Sequence, residues 1–158
     1  CGAEQLRMVS RRGYRLYSLL LLLLLPVSCV SPPKTVPENA RGIVETANSL
    51  IGSPYCYGGE GPSCFDCSGF VRFVFDSNGI SIPRSSREQM KVGERIPGGK
   101  SLRPGDILFF RISKKIMHSG IYLGSGSFVH APRSGGRVRR ELWGGYWEKH
   151  FLFARRVQ

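Results

Sequence analysis

Between Met117 and Ala131, two short runs containing β-branched and aromatic residues flank Gly124-Ser125-Gly126. The runs are His118-Ser-Gly-Ile121-Tyr122-Leu123 and Ser127-Phe128-Val129-His130. Two such runs around a glycine-rich link predict a β-hairpin. Because side chains alternate along a strand, His118 and Tyr122 share a face, as do Phe128 and His130. The turn lies about midway between the two histidines, so they are expected to stand nearly opposite each other. A lone histidine on a strand is more often structural. Two that face each other offer a base and a group to orient it.

A nucleophile for such a base stands earlier, in Asp66-Cys67-Ser68-Gly69-Phe70-Val71. Phe70, Val71, Val74 and Phe75 form a helical stripe with Phe73 beside it, and Asn78-Gly79 is a helix stop. Asp66 is placed to cap this helix, which puts Cys67 in its first turn. The partial positive end of a helix favours thiolate over thiol. The competing reading is a cysteine that only packs, since free cysteine often behaves as a small buried hydrophobe.

The remaining elements are short. Ile43, Val44, Ala47, Leu50 and Ile51 predict an amphipathic helix over residues 40–51, ended by Gly52 and Pro54. A loop rich in Gly and Tyr follows, Tyr55 and Tyr57 among it. Ser85 to Met90 is short and helical or irregular. Pro104-Gly105-Asp106 is a turn, and Ile107-Leu108-Phe109-Phe110 a buried strand. Residues 133–140 form a basic, Gly-containing loop, and a last strand is expected near Phe151 and Phe153. His150 has no partner in view. These pieces place helices early in the chain and strands after them.

The N-terminal region predicts export. Arg11, Arg12 and Arg15 precede a leucine run from Leu19 to Leu25, followed by Pro26-Val27-Ser28-Cys29. A basic segment, a short apolar segment and small residues describe a signal peptide, and the run falls short of the roughly 20 residues that cross a bilayer. Residues 1–29 are read as an upstream extension and signal peptide, and residues 30–39, with Pro32, Pro33 and Pro37, as a tether. Val27-Ser28-Cys29 resembles the end of a bacterial lipobox, with Pro26 where that motif usually has Leu. Cys29 is therefore the candidate lipidation site and membrane anchor, and Val30 after it points to an outer-membrane lipoprotein facing the periplasm.

Export changes how the other cysteines read. If Cys67 is a nucleophile it stays free, and Cys56 and Cys64 can pair beside it, provided their Cα atoms come within about 7 Å. A zinc site built from the three cysteines and a histidine is the rival. It is a weak one, because no second C-x2-C is present. The net charge of +12 comes from 23 basic and 11 acidic residues. Such a surplus attracts polyanions. Export excludes nucleic acid as the partner and leaves anionic lipid or an acidic wall polymer.

Several motifs now occur together and in order: Gly52-Ser-Pro-Tyr55, Gly58-Gly59, Asp66-Cys67-Ser68-Gly69-Phe70-Val71, Pro83-Arg84 with Gln89, Pro104-Gly105-Asp106, and His118-x-Gly-Ile-Tyr-Leu-Gly with His130-Ala131. The set, over residues 40–158, resembles the NlpC family of cell-wall cysteine peptidases; the resemblance implies a papain-like α+β fold, with N-terminal helices packed on a central antiparallel β-sheet. The resemblance implies Cys67 as nucleophile, His118 as general base and His130 as the residue that orients it. It implies Tyr55 as an assisting residue near the thiol, and Asp66 and Ser68 as substrate-holding residues. The substrate implied is the peptidoglycan stem peptide, cut between D-glutamate and a diamino acid, with no metal or cofactor. Tyr57 stands where relatives often have Trp and Ser119 where Val is common; Cys56 and Cys64 are additions. Two other functions are carried forward: an N-acetylmuramoyl-L-alanine amidase on the same scaffold, and a non-catalytic peptidoglycan-binding lipoprotein.

Overall fold

The computed structural model describes residues 38–114 and 117–157. The signal peptide, Cys29 and most of the tether lie outside the described residues. Helix α1 runs Glu38–Ser49 and α2 Cys67–Asp76; α3, Ser86–Gln89, is a single turn. Strand β1 (Glu94–Ile96) follows, then β2 (Ile107–Arg111), β3 (Met117–Gly124), β4 (Ser127–His130) and β5 (Arg139–Leu142). Helix α4 (Tyr146–His150) and strand β6 (Phe151–Arg156) close the chain. The strands form one six-stranded sheet in the order β1-β6-β2-β3-β4-β5. Every pairing is antiparallel.

Strand β2 explains the sheet's placement. Its four apolar residues are all fully buried, because successive side chains enter different cores. Ile107 and Phe109 join Phe70, Val71, Val74 and Phe75 of α2 and Ile43 and Ala47 of α1 on the helix-covered face. Leu108 and Phe110 join Phe128, Ala154 and Ile96 on the other, closed by Trp143, Trp147 and Phe151. A strand buried on both faces loses the alternation of a half-exposed one and reads as a continuous apolar run. Each fully buried phenylalanine contributes roughly 1.5–3 kcal/mol by removal from water.

Two details of the local reading change. Helix α1 begins at Glu38, inside the stretch read as tether. It also ends at Ser49, so Leu50 packs on the core while Ile51, assigned to the buried stripe, is 43% exposed.

The Pro104-Gly105-Asp106 turn is locked to the last strand. Asp106 is 1% exposed and receives Arg156 on both oxygens, each at 2.8 Å, and the Arg103 backbone N–H at 2.8 Å. A buried carboxylate of this kind is tolerated because every charge-bearing atom has a partner.

Candidate active site

Asp66 builds the start of α2. Its Oδ1 accepts the Gly69 backbone N–H at 2.7 Å and the Ser68 hydroxyl at 3.2 Å. Arg84 grips the same carboxylate as a fork, Nη1 to Oδ1 at 3.1 Å and Nη2 to Oδ2 at 2.7 Å. That guanidinium also reaches Ser68 Oγ at 2.9 Å and Glu60 at 2.8 Å. Burial pushes the Asp66 carboxyl upward. The bonds from Arg84, Gly69 and Ser68 outweigh that and hold it below the usual carboxylate range. Behind this network Gln89, fully buried, donates to the carbonyls of Ser68 at 3.0 Å and Pro83 at 2.8 Å.

Cys67 therefore occupies the first turn of a capped helix whose exposed N–H groups point past it. Its thiol is half-buried, and its Sγ lies 3.9 Å from Ser86 Oγ. Among the described residues it is the free cysteine, because Cys56 and Cys64 are joined by a disulfide across a Cα separation of 5.6 Å. That bond consumes two of the three thiols the zinc reading needed. The bridged loop lies directly on α2. Asp66 donates its N–H to the Gly59 carbonyl at 2.9 Å, and a Cβ at Gly69 would fall 2.0 Å from that oxygen. Only glycine at position 69 allows this approach.

Tyr55 directly precedes that loop. Burial raises its hydroxyl pKa, and the charges of Cys67 and Asp66 raise it further, while Arg133 opposes them. The phenol is therefore a hydrogen-bond donor in the field of the thiol.

Helix α2 packs on β3, which carries His118. The two histidines are joined: His118 Nε2 lies 2.6 Å from His130 Nδ1. They are diagonal neighbours rather than opposed, since His130 pairs with Gly120 and Tyr122 with Phe128. Gly120 makes this possible. A Cβ there would lie 3.1 Å from His130 Cβ and 2.8 Å from the Val129 carbonyl, so a side chain would fill the gap that the rings cross. Trp147 then walls both rings, edge-on to His130 at 4.8 Å between centroids and tilted over His118 at 5.8 Å. His118 is 9% exposed and His130 is fully buried. Burial lowers the pKa of His118 to about 4, with the Arg139 charge adding to the effect. His130 is lowered further, by burial first, then by His118 and Arg139. Both rings are neutral at pH 7.

The structure thus gathers Tyr55, Asp66, Cys67 and Ser68 at one helix end and joins His118 to His130 on the hairpin, with both rings on the Phe110, Phe128 and Trp147 face of the sheet; among the described residues Cys67 Sγ makes no hydrogen bond to either ring. Sequence reasoning missed Ser86, Glu60 and Gly120. Ser86 carried a signal: Ser85-x-x-Glu88 is a capping pattern, and Ser85 Oγ both donates to the Glu88 carboxylate at 2.7 Å and accepts its N–H at 3.3 Å. Tyr57 is 92% exposed and makes no wall to the site.

Residues 52–156, which carry this thiol and the paired histidines, match the NlpC/P60 family. The chain belongs to that family. NlpC/P60 peptidases are hydrolases of the cysteine class. It is 35% identical over 153 residues to the "Probable endopeptidase NlpC" of Escherichia coli, covering 89% of this chain and 99% of that one. It is 41% identical over 118 residues to the "Gamma-DL-glutamyl hydrolase" of Bacillus subtilis, covering 72% of this chain. That match spans 28% of the Bacillus protein, which is much longer. Among solved structures, the peptidoglycan hydrolase RipB of Mycobacterium tuberculosis superposes with a TM-score of 0.65 at 30% identity, covering 75% of this chain and 64% of that one. The NlpC/P60 fold accounts for the helices on one side of the antiparallel sheet. The disulfide, at positions read as additions to the family pattern, braces the loop that follows Tyr55.

Proposed function

We propose that this NlpC/P60 domain is a peptidoglycan endopeptidase acting through Cys67. One observation carries the reading: a free thiol in the first turn of a capped helix, packed on a strand whose histidine is hydrogen-bonded through Nε2 to a second histidine. With Nε2 engaged, Nδ1 of His118 is the nitrogen left for the thiol proton, and a ring that is neutral at pH 7 can accept it. Cys67 Sγ then attacks the amide carbonyl. The developing oxyanion is met by backbone N–H groups at the start of α2 and by the protonated Tyr55 hydroxyl. His118, now imidazolium, gives its proton to the leaving amine as the C–N bond breaks. Water, deprotonated by His118, releases the acyl group and restores the thiol. No step in this sequence calls on a metal.

The substrate reading is a stem peptide cut between D-glutamate and a diamino acid. The Bacillus relative's name supports a γ-glutamyl bond. Asp66, anionic and held beside the thiol, is suited to a substrate ammonium, with Ser68 as its neighbour. A cavity of about 480 Å3 lined by Arg87, Arg111 and Lys114 with Met90 and Met117 suits stem-peptide carboxylates.

Digestion of purified peptidoglycan by the wild type and by Cys67→Ala, with mass analysis of the fragments, tests this. The wild type is expected to release peptides cut after D-glutamate and the variant none. Equal turnover by the variant would remove Cys67 as nucleophile, free stem peptide would make the protein an amidase, and binding without turnover would make it a peptidoglycan-binding lipoprotein. Anchoring through Cys29 at the outer membrane is part of the same proposal. It predicts labelled fatty-acid incorporation that Cys29→Ala abolishes; incorporation that survives the substitution would refute it.

A further inference from the structure

His130 is fully buried, yet its Nε2 makes no hydrogen bond among the described residues. A neutral imidazole always has one N–H and one bare nitrogen. If His118 takes the thiol proton on Nδ1, its Nε2 carries hydrogen and donates to His130 Nδ1. His130 must then carry its own hydrogen on Nε2, the atom without a partner. A buried, unmet N–H costs about 1–3 kcal/mol, so what faces it matters.

What faces it is a carboxylate. Glu141 Oε1 lies 3.9 Å from His130 Nε2. Register explains the placement: on β5, Arg139 pairs with His130 and Glu141 with Phe128, so both project on the face of the imidazole pair. Arg139 Nε holds the same Oε1 at 2.8 Å. The groups around His130 are therefore His118 from β3, Arg139 and Glu141 from β5, and the apolar rings of Phe128 and Trp147. Glu141 has three rotatable side-chain bonds and is 30% exposed, so a small rotation brings Oε1 within hydrogen-bond reach of Nε2–H.

We propose that Glu141 is a positioning residue of the catalytic relay, shared between Arg139 and His130. In the resting protein Arg139 holds the carboxylate. When His118 becomes imidazolium the histidine pair gains a positive charge, and Glu141 is drawn to His130 Nε2–H. The proton remains on His118; Glu141 fixes the His130 tautomer and offsets the charge two rings away. This inference rests on the assignment of His118 as base, and not on the identity of the bond cleaved.

The test uses Glu141→Ala, Glu141→Gln and Arg139→Met, with imidazole 15N spectra alongside peptidoglycan kinetics. The wild type is expected to show His130 as the Nε2–H tautomer. Glu141→Ala should lower kcat about tenfold with KM unchanged within twofold, and should lower the titration midpoint of His118. Glu141→Gln retains an acceptor oxygen and should recover most of kcat. Arg139→Met should move the His118 midpoint the opposite way, upward. Loss of either charge moves the His118 midpoint through space, in opposite directions, whatever the role of Glu141, so the deciding readouts are the His130 tautomer and the recovery by Glu141→Gln. A Glu141→Ala variant with unaltered His130 resonances, or a Glu141→Gln variant as slow as Glu141→Ala, would overturn the proposal. Because the spectra need no substrate, a wild type that leaves peptidoglycan intact but shows these shifts would refute the substrate reading and leave this inference standing.

Discussion

His118 Nε2 and His130 Nδ1 meet at 2.6 Å although the two residues are not partners in the β-ladder. The meeting depends on Gly120, which stands opposite His130 and leaves the space that both rings use. The pair is then sealed by Trp147, so its protonation is governed by burial more than by solvent.

Loss of the orienting ring should cost activity while sparing substrate binding. We expect His130→Ala to lower kcat by about 10²-fold, in the range of a displaced general base, with little change in KM. His130→Asn, whose amide oxygen can still accept from His118, should retain more activity than the alanine variant. Steady-state kinetics on a stem peptide decide it, and an alanine variant as fast as the wild type would remove His130 from the mechanism.

Acid should destabilise the fold through His118. Its pKa is near 6.5 when unfolded and about 4 when folded, so between these values the unfolded chain binds more protons. Stability is full above about pH 6.5 and falls as pH drops toward 4, by ~3 kcal/mol from this group alone. Urea unfolding at pH 7 and pH 5 should show the loss, and His118→Asn should reduce it, leaving the part that His130 supplies. An equally steep pH dependence in that variant would show that His118 is not buried neutral.

Arg84 is expected to resist conservative replacement. The guanidinium spans both oxygens of Asp66 and touches Ser68 and Glu60, a geometry that an ammonium cannot copy. Arg84 is 28% exposed, so solvent screening limits the cost of Arg84→Lys to about 1 kcal/mol. The larger effect should fall on kcat/KM, through a loosened cap beside Cys67. Thermal unfolding and kinetics measured on the same variant separate the two, and unaltered kcat/KM would count against the network's catalytic role.

The disulfide should brace the site without taking part in the chemistry. Opening the loop between Cys56 and Cys64, eight residues apart, by Cys56→Ser with Cys64→Ser should cost about 2–3 kcal/mol. The loop follows directly on Tyr55 and meets α2 at Gly59, so activity should fall with stability and recover on cooling. Iodoacetamide should label one thiol in the native domain of residues 38–157 and three after reduction. Three without reduction would show the bond to be absent.

Much of this architecture was readable beforehand for a simple reason: the helix of Cys67 has a strong apolar period, strand β2 is a continuous apolar run, and the β3–β4 hairpin is marked by its Gly-Ser-Gly link. What stayed hidden lay at the edges. Glu94-Arg95-Ile96 and Arg139-Arg140-Glu141-Leu142 are the two outer strands, β1 and β5, and the second was read as part of a basic loop. Charged edge strands discourage pairing with other chains, and those same charges erase the alternation by which strands are recognised. Helix α4 is five residues long and lacks a side-chain cap; it depends on Trp147 packing against Phe110, Phe128 and the histidines.

The candidate site divides along the same line. Residue type and local pattern were enough to place Cys67 after a capping Asp66 and to put two histidines on one hairpin, because caps and strand periods act over a few residues. Which ring nitrogens meet, that Gly120 makes room for them, that Arg84 holds Asp66 from eighteen residues away, and that Glu141 faces the far side of His130 were decided by tertiary structure alone. Those relations depend on register and packing between distant segments, and within the sheet a one-residue shift in register would turn His118, His130 or Glu141 to the opposite face.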